Sequence, residues 1–374
     1  MKYDYLIVGA GFAGSVMAER IASQLNNKVL IVEKRNHIGG NAYDEYDEYG
    51  ILVHRYGPHI FHANSKKVFD YLSQYTEWRF YGHKVLAKLN GELYPIPINR
   101  ITLNKLYGLK LKSEADVKNY LETVRQNHFP VLNSEDIIVN QVGNDLFEKF
   151  FKHYTKKQWN LEPKELSAQV CGRIPVRFND DCRYFTDKYQ YMPKDGYTKM
   201  FGKMLSNKNI EIVVNQNYKT ILNEVKYDKM IYTGPIDYFF DYEFGKLPYR
   251  SIRFEFENIK NEWVQKVAQI NHVSGEVEYT RMIEHKYLTG QQADTTTITK
   301  EYPQNEGEPF YPIPTEETRH LFLKYEAEAK KLKNVIFCGR LAEYQYFNMD
   351  QVVANTLIIF QNKIVKLNFR NNIK

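Results

Sequence analysis

Three glycines near the start of the chain have the spacing of a phosphate-binding turn. Gly9, Gly11 and Gly14 form G-x-G-x-x-G between an apolar run and a helical pattern. Glycine lets the backbone approach a ligand closely, and the first N–H groups of a helix are free to bind a pyrophosphate. A second apolar run ends at Glu33, 19 positions after Gly14, where a carboxylate can accept hydrogen bonds from a ribose. This order of strand, turn, helix, strand and acid predicts a bound dinucleotide.

The residues after Glu33 indicate which dinucleotide this is. Lys34 and Arg35 come next, and Gly39 and Gly40 then allow a close backbone approach where the chain leaves the nucleotide. This extension resembles the FAD domains of the glutathione-reductase and amine-oxidase type rather than a plain NAD dehydrogenase. The first forty residues therefore predict a Rossmann-like domain that binds FAD.

Two further groups of side chains could bind or transform a ligand. His59 and His62 lie three apart on a predicted loop after a strand, but no other Cys or His has the spacing that a zinc site would need, so we predict no metal. Tyr154 and Trp159 lie five apart at a predicted helix end, and an aromatic face that stacks on a planar base contributes about 1–3 kcal/mol. Taken singly, a histidine of this kind is more typical of packing or of the surface than of catalysis.

The composition excludes several classes of protein. The 374 residues include 51 Lys plus Arg and 45 Asp plus Glu, a net charge of +6 with no run of five like charges, so no nucleic-acid partner is predicted. Cys171, Cys182 and Cys338 lack C-x-x-C spacing, which favours a reducing cytosol over a disulfide framework. The sequence opens on a predicted strand and no apolar run reaches 18 residues, so we expect no signal peptide and a cytoplasmic protein without a membrane partner.

The elements that must position these residues predict an α/β fold with three domains. Strand and helix signals alternate at the start, centre and end of the chain, a helical pattern follows residue 103, and strands rich in Tyr, Phe, Ile and Thr follow residue 250. We expect a Rossmann-like FAD-binding domain, a helical-bundle insert with a mobile lid just after it, and an antiparallel or mixed β-sheet domain for the substrate. Their predicted ranges, in that order, are 1–78 with 192–240 and 330–374; 99–166; and 79–98 with 167–191 and 241–329.

Longer motifs give the chain a resemblance to one enzyme family. They are E-K-R-N-H-I-G-G-N-A-Y (33–43), Y-G-P-H-I-F-H (56–62), Y-T-K-K-Q-W (154–159), R-I-P-V-R-F (173–178), Y-T-G-P-I-D (232–237), Y-T-R-M-I-E-H-K (279–286), P-F-Y-P (309–312) and G-R-L-A-E-Y (339–344). From end to end the chain resembles the bacterial UDP-galactopyranose mutases, isomerases that interconvert UDP-galactopyranose and UDP-galactofuranose. The resemblance implies that reduced FAD acts through N5 as nucleophile at the anomeric carbon while the protein binds UDP and orients the sugar. It also implies an external reductant, a homodimer, and a role in cell-surface polysaccharide or capsule synthesis.

The resemblance further implies roles for particular residues. Paired hydrogen bonds from guanidinium groups suit a diphosphate, and the residues around Arg173 have the composition of a movable lid. The residues implied to be catalytic are Arg173, Arg281, His62 and His59. Those implied to bind substrate are Phe150, which also suits a helical core, Tyr154, Thr155, Trp159, Tyr184, Arg250, Asn271, Tyr311 and Tyr346. Those implied to bind FAD are Gly9, Gly11, Phe12, Ala13, Gly14, Glu33, Lys34, Arg35, Gly40, Asn41, His59, Ile60, Gly339, Arg340, Tyr346 and Met349.

Three positions depart from the family pattern, and two other functions compete. The family commonly has alanine at Pro58, aspartate at Asn348 and histidine at Asp350, which leaves the preference between UDP-galactose and UDP-N-acetylgalactosamine open. The first alternative function is an FAD-dependent oxidoreductase of the amine-oxidase type, because the first forty residues suit that class equally well. The second is a nucleotide-sugar binding module with a vestigial flavin.

Overall fold

A computed structural model describes residues 2–172 and 175–366. The strands in these ranges are β1 (Lys2–Val8), β2 (Val29–Val32), β3 (Asp44–Tyr46), β4 (Leu52–His54), β5 (Phe61–Ala63), β6 (Trp78–Phe80), β7 (Val85–Leu89), β8 (Glu92–Ile96), β9 (Tyr189–Pro193), β10 (Ile210–Val213), β11 (Lys226–Tyr232), β12 (Tyr249–Ile259), β13 (Gln269–His272), β14 (Arg281–Glu284), β15 (Thr296–Gln304), β16 (Tyr311–Pro312) and β17 (Val335–Phe337).

The α-helices in the same ranges are α1 (Phe12–Leu25), α2 (Lys66–Leu72), α3 (Arg100–Tyr107), α4 (Glu114–Val124), α5 (Ser134–Val142), α6 (Asn144–Leu146), α7 (His153–Trp159), α8 (Ala168–Cys171), α9 (Tyr197–Met204), α10 (Tyr218–Ile221), α11 (Ile236–Phe239), α12 (His285–Thr289), α13 (Glu316–Lys331) and α14 (Met349–Ile359). Two π-helical segments, Phe147–Lys152 and Phe360–Val365, follow α6 and α14 without a break. None of these helices is long and apolar enough to cross a membrane.

The first sheet is parallel, with strand order β10-β2-β1-β11-β17. All four residues of β2 are buried, as expected when helices cover both faces of a parallel sheet. Val8 pairs with both Val32 and Tyr232, so the chain segments that follow these three strands meet at one edge of the sheet. The prediction of a Rossmann-like fold is confirmed, and its glycine turn lies at this edge.

The second sheet has seven strands in the order β16-β12-β15-β14-β13-β7-β8. Its neighbours are antiparallel except β13 and β7, which run parallel, so the predicted mixed sheet is confirmed. Val85 and Ala87 of β7 share a hydrophobic cluster with Leu121 of α4 and Phe147. The predicted helical insert therefore packs against this sheet, whereas the domain boundaries stay a proposal.

Local signals were accurate at several termini and insufficient at others. Ser113 and Asp116 form the expected capping box at the start of α4. The stretch 85–98 is a hairpin that turns at Asn90 and Gly91, with the proline-bearing strand β8 at the outer edge. Local patterns did not indicate α13, in which only Thr318 and Tyr325 are buried, so its apolar face is narrow.

Candidate functional site

The glycine turn between β1 and α1 is packed so closely that side chains are excluded from it. A Cβ atom on Gly14 would lie 1.9 Å from the carbonyl oxygen of Gly9, and one on Gly40 would lie 2.8 Å from Cα of Gly11. Gly9 has a φ of +101°, which an L side chain rarely adopts. Gly11 precedes α1 and gives the helix no side-chain cap, so its first N–H groups are available to a phosphate.

The carboxylate of Glu33 ties the end of β2 to this turn. One oxygen accepts a hydrogen bond from the N–H of Ala10 at 2.8 Å, and the other accepts one from the N–H of Arg35 at 2.9 Å. Each carboxylate oxygen can accept a second hydrogen bond. The predicted ribose-binding acid therefore lies beside the glycine turn. The bare backbone of the turn, the uncapped start of α1 and this acid together fit a dinucleotide, and we call them the dinucleotide cradle.

The residues after Glu33 continue the same edge. Arg35 donates to Oδ1 of Asn41 at 3.0 Å and its guanidinium lies 4.2 Å from the ring centre of Tyr56. Lys34 is paired with Glu308 at 2.7 Å and is half exposed. Arg35 also lies 3.4 Å from the same carboxylate, so Glu308 holds both members of the basic pair beside the glycine turn.

The opposite side of the cradle is formed by the segment after β17. A Cβ atom on Gly339, whose φ is +99°, would lie 2.9 Å from Cβ of Ala13. Arg340 donates through Nε to the carbonyl of Phe347 at 3.1 Å, just before α14 begins at Met349. The glycines, Glu33, Lys34, Arg35, Asn41 and Arg340 therefore come together around one edge of the first sheet, whereas Phe12, Ala13 and Ile60 belong to the buried core.

His59 and His62 lie in different settings after β4. His59 is in the connecting loop, as predicted, and Nδ1 of its ring lies 3.0 Å from the carbonyl oxygen of Gly57. His62 is in strand β5, so the prediction that both histidines occupy a loop was wrong for this one. Strand β5 is short and pairs with β9, more than 120 residues later, which local patterns did not indicate.

His62 is paired with a carboxylate that the sequence analysis missed. Nδ1 of His62 lies 3.0 Å from Oδ2 of Asp187, and its ring stacks on Phe185 with centres 3.7 Å apart. Asn64 donates to the other oxygen of Asp187 at 2.9 Å. The two residues are 125 positions apart, so local spacing did not indicate this pair.

Arg281 of β14 is the centre of a second cluster. Its Nε donates to Oη of Tyr154 at 2.8 Å, and its Nη1 lies 3.4 Å from Oε2 of Glu301 on the neighbouring strand. Burial opposes the charge of Arg281, but Tyr154 and Glu301 outweigh it and raise the pKa of the guanidinium well above its usual value. The arginine therefore remains charged and could bind a diphosphate.

Glu301 is a buried carboxylate that the sequence analysis also missed. Its side chain is 1 % exposed. Burial raises its pKa above the usual value of a glutamate, although Arg281 acts in the opposite direction. Oε1 has no hydrogen-bond partner among the described residues. In the second part of β15, Thr299 and Glu301 are buried whereas Lys300 and Tyr302 are partly exposed, and this alternation was a usable signal.

Aromatic side chains lie close to Arg281. Tyr311 and Tyr346 have ring centres 5.2 Å apart, and Trp159 lies 6.5 Å from the first and 6.1 Å from the second. The guanidinium of Arg340 is within 5.6 Å of both tyrosine rings and links this cluster to the dinucleotide cradle. Burial raises the pKa of Tyr311, so its hydroxyl stays protonated and can donate to an anion.

The remaining predicted substrate residues have mixed surroundings. Asn271 lies beside Arg281 on the next strand and accepts a hydrogen bond from Gln269 at 2.8 Å. Tyr184 contacts Phe185 edge to face, at 5.2 Å between ring centres. Both side chains are therefore close to residues of the two clusters described above.

Three predicted substrate residues make contacts that serve the fold. Arg250 is 2 % exposed and donates to the carbonyl of Gln158 at 2.9 Å, as well as to Asn305, so it fixes the end of α7. Thr155 contacts the thiol of Cys171, and Phe150 packs in the cluster between the helices and the second sheet. Arg173 lies outside the residues that the structure describes.

The three departures from the family pattern lie close to the site. Asn348 caps α14 in a box with Gln351, and Pro58 is half-buried directly before His59. Asp350 interacts electrostatically with His62 and Asp187, and burial raises its pKa. Its Oδ1 is buried without a hydrogen-bond partner in the part of the chain that the structure describes.

Comparisons with protein families identify both halves of this arrangement. A family model described as UDP-galactopyranose mutase matches residues 149–346, and one described as an NAD(P)-binding Rossmann-like domain matches residues 7–75. The chain is 38% identical to a probable UDP-galactopyranose mutase of Klebsiella pneumoniae, covering 95% of this chain and 93% of that protein. It is 37% identical to a dTDP-fucopyranose mutase of Escherichia coli, covering 94% of this chain and 96% of that protein.

Solved structures share the fold. A crystal structure of reduced UDP-galactopyranose mutase superposes with a TM-score of 0.78 at 15% identity, over 96% of this chain and 94% of that one. Putrescine oxidase has the same fold, with a TM-score of 0.58 at 11% identity over 98% of this chain and 99% of that one. Whole-length sequence similarity therefore points to mutases, while the likeness to an amine oxidase is one of fold alone.

Proposed function

The chain belongs to the UDP-galactopyranose mutase family, and from that premise we propose that it interconverts UDP-galactopyranose and UDP-galactofuranose. The observation that supports this most is Arg281, held charged between Tyr154 and Glu301 and close to the aromatic cluster. The family is flavin-dependent, and the cradle around Gly9, Gly11 and Glu33 fits FAD. Bound in its reduced form, FAD supplies a nucleophile for the anomeric carbon.

The contribution of the protein would be binding and electrostatic stabilisation. Tyr154 and Trp159 offer aromatic faces to the uracil, and Arg281 offers a charged donor to the diphosphate, which carries the leaving group's charge. The hydroxyl of Tyr311 adds a neutral donor. Because a ring contraction changes no oxidation state of the sugar, these residues need only grip the nucleotide and orient the sugar.

The two histidines have different roles in this proposal. Burial lowers the pKa of His59 to about 3, so it is neutral at physiological pH and acts as a hydrogen-bonding group rather than as a cation. His62, oriented by Asp187, is the side chain that could hold or release a proton beside the sugar. An external reductant of the flavin and a homodimer remain part of the proposal.

The identity of the substrate needs a separate proposal. The Escherichia coli relative is named for a dTDP-sugar and is as similar to this chain as the Klebsiella protein, so a dTDP-6-deoxysugar is a second candidate. The departures at Asn348 and Asp350 lie near His62 and Tyr346, where they could change the choice between galactose and N-acetylgalactosamine. We propose UDP-galactose as the principal substrate.

The test is turnover by dithionite-reduced protein, followed by chromatography. UDP-galactose, UDP-N-acetylgalactosamine and dTDP-fucose, each as its furanose, are supplied in parallel, and conversion of UDP-galactofuranose to UDP-galactopyranose is expected to be fastest. Arg281→Ala should abolish most of the turnover and retain FAD. Arg253→Ala is the matched control, because that arginine is half exposed and pairs with Glu255. Turnover that requires a stoichiometric electron acceptor would instead establish an oxidoreductase, and nucleotide binding without turnover a binding module.

A further inference from the structure

Three histidines form a continuous series of hydrogen bonds behind the loop that carries His59. We call His59, His54 and His285 the histidine relay. His54 is the last residue of β4, and His285 is the first residue of α12, 231 positions later. Neither His54 nor His285 belongs to the residues that the resemblance implies for the site.

The direction of each hydrogen bond in the relay is fixed by its backbone partner. The N–H of His59 lies 3.1 Å from Nδ1 of His54, and the N–H of His54 lies 3.2 Å from Nδ1 of His285. A backbone N–H can only donate, so both Nδ1 atoms must be unprotonated acceptors. The rings of His54 and His285 therefore carry their protons on Nε2, and Nε2 of His285 lies 2.7 Å from the hydroxyl of Thr299.

His59 has the opposite tautomer. Its Nδ1 lies 3.0 Å from the carbonyl oxygen of Gly57, and a carbonyl can only accept. Nδ1 of His59 is therefore protonated, and Nε2 carries the lone pair of the neutral ring. His54 thus fixes the backbone position of His59, and the carbonyl of Gly57 fixes the atom that this ring presents to a ligand.

The surroundings of the relay favour neutral rings. His54 and His285 are 1 % and 0 % exposed. Desolvation lowers the pKa of His54 to about 4 and that of His285 well below its usual value.

The charged and titratable groups that face the relay do not reverse this preference. They are Asp44 of β3, Arg55 after β4, Tyr197 of α9 and Arg340 after β17. The carboxylate of Asp44 already accepts from the N–H groups of Tyr197 and Thr198 at 2.6 and 2.8 Å, and Arg55 and Arg340 oppose a further positive charge.

We propose that His54 and His285 are positioning residues for His59, and that their Nδ1 lone pairs hold the Tyr56–His59 loop against the cofactor side of the site only while both rings are neutral. A proton on either Nδ1 would remove an acceptor and leave a buried N–H without a partner. The inference rests on the proposed function only in assigning His59 to the side of the FAD. We expect FAD affinity to fall on acidification before the chain unfolds.

The tautomers can be measured directly in the wild-type protein. Long-range 1H–15N correlation spectra of histidine-labelled holoprotein at pH 7.5 should show the Nε2–H tautomer for His54 and His285 and the Nδ1–H tautomer for His59, with these three rings assigned by His54→Asn, His285→Asn and His59→Asn. A protonated Nδ1 on His54 or His285, or an imidazolium form of either at this pH, would overturn the proposal. This measurement needs no nucleotide sugar, so it is independent of whether the protein is a mutase.

Paired variants test the positioning. His54→Asn places an amide oxygen near the position of Nδ1 and does not titrate, whereas His54→Leu keeps the volume and removes the acceptor. FAD binding is followed by flavin fluorescence from pH 8 to 3.5, a range that extends below the pKa of about 4 of His54. It should weaken at least about fivefold at pH 7.5 in His54→Leu and stay near wild type in His54→Asn. The acid weakening of the wild type should be smaller in His54→Asn.

The exposed His320 of α13 supplies the control variant, His320→Asn, which should match the wild type at every pH. Equal FAD affinity in His54→Leu and the wild type would refute the positioning role. Unchanged acid sensitivity in His54→Asn would refute the dependence on neutral rings. Thermal unfolding of each holoprotein separates these outcomes from a general loss of fold.

Discussion

Replacing Tyr154 by phenylalanine removes a single hydroxyl from the candidate site and keeps the aromatic ring. That hydroxyl accepts a hydrogen bond from Nε of Arg281 at 2.8 Å. The ionic contact between this guanidinium and Glu301 is longer, at 3.4 Å. In Tyr154→Phe the Nε of Arg281 loses this partner, and the arginine keeps only its contact with Glu301.

The expected magnitude follows from the charge on the donor. A hydrogen bond to a charged group contributes about 1.5–3 kcal/mol, which corresponds to about a 10- to 150-fold change when it is lost. We expect kcat/KM for UDP-galactofuranose to fall within this range, with FAD content unchanged. Tyr154→Leu should be worse by a further 1–3 kcal/mol, roughly, because it also removes the ring that we propose stacks on uracil.

The assay is steady-state conversion by the reduced protein, with FAD content measured by absorbance. Tyr107→Phe is the matched control, because its hydroxyl also pairs with a charged group, Asp145, but at an exposed position in the helical insert. The control should retain wild-type kcat/KM. The reasoning about Arg281 is refuted if Tyr154→Phe is as active as the control.

Three further predictions test other parts of the structure. Gly14→Ala should prevent FAD binding, because its Cβ would lie 1.9 Å from a carbonyl oxygen, whereas Gly202→Ala, with open space around it, should bind FAD normally; absorbance of the purified proteins decides this. The pKa of His54 is about 4 in the folded chain against an ordinary 6.5, so the unfolded chain binds more protons between these values. The free energy of unfolding, from urea titrations, should therefore decrease as the pH is lowered from 6.5 to about 4, by about 3 kcal/mol for this residue. Lys157→Met should lower it by about 1–3 kcal/mol at pH 7, because the ammonium donates to three carbonyl oxygens at 2.8–3.2 Å; an unchanged urea midpoint would contradict this.

The parts of the molecule that local sequence predicts well are those built from consecutive residues. The glycine turn and Glu33 belong to one strand–helix–strand unit, and their contacts are those that the spacing predicts. The capping box at Ser113 depends on four residues in a row. In such units the contacting residues belong to one short stretch of chain, so the residue types and their spacing are sufficient to predict the contacts.

The parts that the sequence left undetermined depend on pairing across long separations. Arg281 meets Glu301 because β14 and β15 pair in one register, and a slip of one residue would turn the carboxylate to the other face. His62 meets Asp187, and His54 meets His285, only through strand and helix packing. These contacts decide which ring is neutral and which arginine stays charged, so the electrostatics of the site had to come from the structure.

The most direct test of the account is to follow sugar and flavin together in one anaerobic reaction. Protein reduced once with dithionite, freed of excess reductant and mixed with UDP-galactofuranose should produce many molecules of UDP-galactopyranose per molecule of enzyme, with the flavin still reduced at the end. The same mixture of sugars should be reached from UDP-galactopyranose. The absence of conversion would contradict the proposed isomerase. So would the formation of at most one product per reduced flavin, with the flavin returning to its oxidised spectrum.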